Sequence, residues 1–154
     1  MKKSLFSLFA LAIIILACKK ENITTKTSGE YLTGHKWATG SITINPANDW
    51  YHTGTKITDL FSPLDNCDKD NQFEFDADST YYTLTGTYKC QTGEVDKISN
   101  GKYSISKDQK YITRPDLTVP SLIKEISDTK VVFETTFTDT DHLQYTLTET
   151  YQAK

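Results

Sequence analysis

Three cysteines, three histidines, several S-x-x-K pairs and a run of acids beside a cysteine are the parts of this chain whose types and spacing could do chemistry. His35, His52 and His142 lie far apart and form no H-x-H or H-x-x-x-H pair, so no metal centre is expected from them. Among the S-x-x-K matches are Ser104 to Lys107 and Ser121 to Lys124. That spacing serves as a nucleophile and its base only on a helix, whereas on strands the two side chains point to opposite faces. Both segments read as strands, so both matches are chance. Asp65, Asp68, Asp70, Asp76 and Asp78 suggest calcium, but Phe73 stands where the EF-hand loop needs glycine, and a solvated acidic turn is expected instead. With no G-x-S-x-G present, the chain reads as a non-enzyme without metal or cofactor.

One titratable residue breaks a pattern. On the last strand Leu143, Tyr145, Leu147, Glu149 and Tyr151 share a face, and Glu149 is its only charge. A carboxylate there either fixes the polar end of a ligand or lies near a rim and reaches water, and the rim is the expectation.

The N-terminus supplies a location. Two lysines, an apolar run from Leu5 to Ala17 and then Cys18 read as a secretory signal over residues 1–17, too short to span a bilayer. Ala17 before Cys18 resembles the lipobox of bacterial lipoproteins, which implies lipidation of Cys18 and a membrane partner through that anchor. Residues 18–30 are polar and without period and read as a flexible tether, leaving 31–154 as the domain. Loss of the leader removes Lys2 and Lys3 from 17 basic residues against 20 acids, so the remainder carries −5. Arg114 is the only arginine, and nucleic acid is excluded as a partner.

With Cys18 taken by lipid, Cys67 and Cys90 are an even pair in an exported chain and are expected to form a disulfide worth about 3 kcal/mol. They flank two alternating arms, Asn71 to Phe75 and Tyr81 to Lys89, around a D-A-D-S turn. A hairpin folding back between Asp78 and Ser79 brings the cysteines together.

Further strands are expected at His35 to Ile44, Gly101 to Ser106, Lys110 to Arg114, Ser121 to Ile126, Lys130 to Thr138 and Leu143 to Tyr151. Asn45-Pro46 should close the first, and Trp50 and Tyr51 in the following loop should plug one end of the fold or form a binding lip. Ile57, Leu60, Phe61 and Leu64 have the spacing of one helical face, so a short helix stopped by Pro63 is expected there. Eight sequential antiparallel strands with one apolar face make a small up-and-down β-barrel. Its inner positions, hence the candidate cavity lining, are Phe75, Tyr82, Leu84, Tyr103, Phe133, Tyr145 and Glu149.

L-T-G-H-K-W at residues 32–37, C-D-K-D-N before F-E-F, the downstream Cys90, G-K-Y-S-I-S and the final alternating strands resemble the lipocalin-like domain lipoproteins of Bacteroidetes over Tyr31 to Tyr151. The resemblance implies a lipocalin-like barrel on an outer-membrane lipid anchor, facing periplasm or surface, with a cavity for a small, partly apolar molecule. Trp37 would then be core packing at the closed end. The alternative is an interaction module, a subunit of an outer-membrane complex or a hydrolase inhibitor, using loops 45–56 and 91–100.

Overall fold

The computed structural model describes residues 26–154; the leader, Cys18 and the first part of the tether lie outside the described residues. The order is α1 (Ser28–Thr33), β1 (Lys36–Asn48), β2 (Ile57–Asp59), α2 (Asn66–Lys69), β3 (Gln72–Phe75), β4 (Thr80–Leu84), β5 (Lys97–Lys102), β6 (Ser104–Ile105), β7 (Tyr111–Thr113), β8 (Ser121–Ile126), β9 (Lys130–Thr138) and β10 (Gln144–Ala153). The fold is all-β. Ten antiparallel strands form one sheet in the order β5-β4-β3-β1-β10-β9-β8-β7-β6, with β2 paired to β1 beside that path. The two strands beyond the expected eight are β2 and the division of one expected strand into β5 and β6 around Tyr103.

The ladder is not closed by hydrogen bonds between its edges β5 and β6. The reason is local. β7 pairs with β6 through Thr113 opposite Ser104, and the next residues that could carry the ladder onto β5 are Arg114 and Pro115. Proline has no N–H to donate. Opposite it Gly101 has φ +107, and a Cβ there would lie 3.1 Å from the Pro115 ring. The sheet edge is covered by side-chain packing where pairing fails.

α1 begins at Ser28, inside the segment expected as tether. Thr27 caps α1, accepting from the Glu30 N–H while Glu30 accepts from the Thr27 N–H. Ser28 donates to the Gln109 carbonyl, and Leu32 is fully buried beneath Trp37, whose Nε1 donates to the Leu32 carbonyl at 3.0 Å. This end of the sheet is filled by Leu32, Trp37, Phe75, Tyr81, Tyr103, Ile112, Val131, Phe133 and Tyr151. A second, smaller cluster of Ile44, Leu60, Tyr145 and Leu147 lies at the opposite end.

Three local expectations are corrected. β1 runs through the cis Asn45-Pro46 bond to Asn48, because Pro46 falls past the last β10 partner and inside the irregular stretch of the β1–β2 ladder, where no N–H is required. The helix expected over Ile57 to Leu64 is instead β2 and a turn. Leu60 N donates to Ile42 O, and the Asp59 carboxylate accepts from the N–H groups of Phe61 and Ser62, so tertiary pairing and an Asx turn override a four-residue helical spacing. The Cys67–Cys90 disulfide is present, with Cα atoms 5.3 Å apart, but it ties α2 to the loop after β4, not one strand to another. The hairpin turns one residue from the expected register: Phe75 pairs with Tyr81, where a fold-back between Asp78 and Ser79 would put it opposite Tyr82.

Three hairpin turns share one geometry. In Asp76–Ser79, Ser106–Gln109 and Asp139–His142 the fourth N–H donates to the first carbonyl at 2.9 Å, and that fourth residue has φ 62 to 66. A side chain in this left-handed region costs about 1–2 kcal/mol, against about 0.5–1 kcal/mol for the extra chain entropy of glycine. Gln109 is tied to Ser28 N, whereas His142 sits at an exposed tip. His142→Gly should therefore raise stability by about 0.5–1 kcal/mol, read as a higher denaturant midpoint at unchanged slope.

Candidate functional site

The expected cavity lining does not come together. Phe75, Tyr103 and Phe133 belong to the filled core: Phe75 stacks on Tyr81 with centroids 5.0 Å apart and meets Tyr103 edge-on at 5.1 Å. Tyr82 and Leu84 face the other way. Because Phe75 pairs with Tyr81, Tyr82 falls beside Glu74 on the outer face, where the Lys97 ammonium lies 3.9 Å from its ring centroid. Two adjacent tyrosines present an aromatic to both faces, so the one-residue difference left no trace in the pattern. Tyr145 is buried in the second cluster and donates its hydroxyl to Asp141 at 2.6 Å.

Glu149 is the larger correction. It does not reach water at a rim but is 7% exposed, and its partner is Arg114, immediately after β7 and 2% exposed. Arg114 Nη2 donates to Glu149 Oε2, and the Tyr151 hydroxyl donates to Glu149 Oε1 at 2.7 Å. The guanidinium carbon lies 5.1 Å from the Phe133 centroid. Burial opposes the charge on Arg114 and is outweighed by the surrounding Tyr151, Glu149 and Asp116 oxygens, which keep it protonated. Burial pushes the Tyr151 hydroxyl well up, and the Glu149 charge adds to this, so the phenol stays a donor. Tyr81 is raised for the same first reason, partly offset by Arg114. A charge alone on an apolar strand face and a single arginine in the chain were the signals that could have paired them.

Above this ion pair the interior opens. Along β9 and β10 the inward pairs run from Phe133 opposite Glu149 to Thr135 opposite Leu147 and Phe137 opposite Tyr145. A cleft of about 270 Å³ starts one rung above Glu149, lined by Thr135, Phe137 and Leu147 below and by Trp50, Asp116, Leu117, Thr118 and Val119 from two loops. Trp50 meets Phe137 edge-to-face at 6.1 Å and keeps 41% of its surface exposed, so it forms a lip, not a plug. Tyr51 donates its hydroxyl to Leu60 O at 2.6 Å, which ties the Trp50 loop to the turn after β2. Two larger hollows, of about 390 and 530 Å³, lie beside α1 and along β6 and β7 and are more open to solvent.

The remaining candidates are structural. Ser121 shares a buried 2.7 Å hydrogen bond with the Thr135 hydroxyl, while Lys124 pairs with Glu134. Hydrogen bonds from the Thr80 side chain and Lys102 hold the Asp78 carboxyl down at about 2. Asp70 accepts from Tyr88 N at 2.9 Å, and Asp68 lies beside cysteines already joined to each other. Among the described residues no helix is long and apolar enough to cross a membrane. No protein-family model matches the chain, and no curated protein matches it.

Proposed function

We propose that this chain is a lipocalin-like protein of the cell envelope, anchored through lipid on Cys18, that holds a small, partly apolar molecule in the Trp50 cleft without transforming it. The observation that carries the reading is the cleft itself: an interior apolar floor of Phe137 and Leu147, roofed by loop residues and open at one lip. Counting β5 and β6 as one strand interrupted at Tyr103, and setting β2 aside, leaves eight strands in up-and-down order, which supports the resemblance to Bacteroidetes lipocalin-like lipoproteins. The Cys67–Cys90 bond supports an oxidising compartment such as the periplasm or the outer surface.

Octanol, a neutral apolar probe small enough for the cleft, should bind saturably in a calorimetric titration. Trp50→Ala should weaken it about tenfold, the loss of roughly 1.4 kcal/mol of aromatic contact. Non-saturable uptake, or equal affinity in the two proteins, contradicts the reading. A second reading is favoured by one feature: Tyr88 and Val95 are each 60% exposed near the disulfide, an apolar surface suited to an envelope protein partner. Of the expected interaction loop 91–100, residues from Lys97 onward belong to β5.

A further inference from the structure

The cleft carries a charge preference. Glu149 is satisfied by Arg114 and Tyr151, so its charge is spent within the core. Asp116 is not. Asp116 lines the cleft with a side chain 42% exposed, and its ion-pair partner among the described residues, Arg114 Nε, is 3.7 Å away, beyond hydrogen-bonding distance. Among the described residues Arg114 Nε has no hydrogen-bond partner. One guanidinium therefore faces two carboxylates, and the group carries a net −1. Among the described residues no lysine lines the cleft, and the neighbouring depression that shares Trp50 is lined by another acid, Asp139, with Asn48 and His52. The Trp50 and Phe137 rings meet at 71°, two adjacent aromatic walls. Aromatic faces attract cations, and a half-exposed carboxylate across a low-dielectric cleft adds to that attraction while repelling anions.

Resting on the reading of the cleft as a ligand site, we propose that its occupant is an organic cation, an amine or ammonium head carried on a short apolar body. The head lies between Trp50 and Asp116, and the body lies over Phe137 and Leu147. The orphaned Arg114 Nε–H argues for the opposite charge, since a carboxylate ligand could take it. Such a ligand would enter past Asp116 and add a third negative charge to a group already in excess of them.

The test compares three probes of equal apolar body, octylammonium, octanol and octanoate, titrated calorimetrically into the intact protein at one pH and low salt. Octylammonium should bind about tenfold more tightly than octanol, a difference of roughly 1.4 kcal/mol, and octanoate more weakly than either. Asp116→Asn should bring octylammonium down to the octanol value, and a denaturant midpoint close to that of the wild type shows that the variant is folded. Octanol or octanoate binding as tightly as octylammonium overturns the cation and leaves the cleft standing. An octylammonium advantage that survives Asp116→Asn overturns the proposal too. Saturable binding of none of the three overturns both the proposal and the cleft.

Discussion

Replacing Arg114 with leucine is expected to destabilise the domain by about 3–5 kcal/mol, the loss seen when one member of a buried ion pair is removed. Against a total stability of roughly 5–15 kcal/mol for a domain of this kind, that is a large share. The cost comes less from the missing attraction than from what remains: Glu149 would be buried with only the Tyr151 hydroxyl as partner. The proof of that cause is the second variant. Arg114→Leu combined with Glu149→Leu removes both charges and should recover most of the loss, since an apolar pair of similar volume is often as stable as a buried ion pair. Urea denaturation of the wild type and the single and double variants makes the comparison. A single variant within about 1 kcal/mol of wild type would mean that water reaches Glu149 and that the core is not dry there.

The second large effect is Trp37→Ala, also expected to cost about 3–5 kcal/mol, the range for truncating a fully buried aromatic. Trp37 has no exposed surface, packs edge-on against His35 at 5.3 Å and donates to the Leu32 carbonyl, so its removal empties the core beneath α1 and loosens that helix. Trp37→Phe separates the two contributions. It keeps most of the ring but leaves the carbonyl unpaired, a loss of about 1–3 kcal/mol. Trp50→Ala, at a half-exposed lip, should change stability by only about 0.5–1 kcal/mol. Trp37 is thus the structural one of the two tryptophans, and thermal unfolding of the three variants should rank them in that order.

How much of this the sequence discloses depends on whether a residue's neighbours are local. β9 and β10 were legible because one face is more buried than the other, so a period of two runs from Phe133 to Thr138, past a buried Val132, and unbroken from Tyr145 to Tyr151. The hairpin turn and the disulfide were legible because turn residues and cysteines mark themselves. The Ile57 segment misled because four apolar residues fit a helix as well as a short strand followed by a turn, and docking on Ile42 decided between them. α1 was missed because it is six residues long, polar on most of its surface and held by a capping box and Leu32. Nor was the open ladder foreseeable, because it arises where Pro115 comes to lie against Gly101.

The candidate site was less legible than the fold. Glu149 stood out, but its partner lies 35 residues away just after a three-residue strand, where no periodicity marks it. Trp50 was named from its type and its loop, and the structure places it on the cleft lip. Asp116 to Val119 fall between the strands expected to end at Arg114 and to begin at Ser121, yet they supply four of the eight residues that line the cleft. Loops carry no sequence period, and residues that line a site from loops are positioned by the strands that end beneath them.

The most direct measurement of the central claim is a crystal structure of the protein grown with octylammonium. The account predicts the probe's chain over Leu147 and Phe137 and its head between the Trp50 ring and the Asp116 carboxylate, with the Arg114–Glu149 pair undisturbed beneath. A Trp50 ring folded down to fill the cleft, with the probe absent from it, would contradict the account.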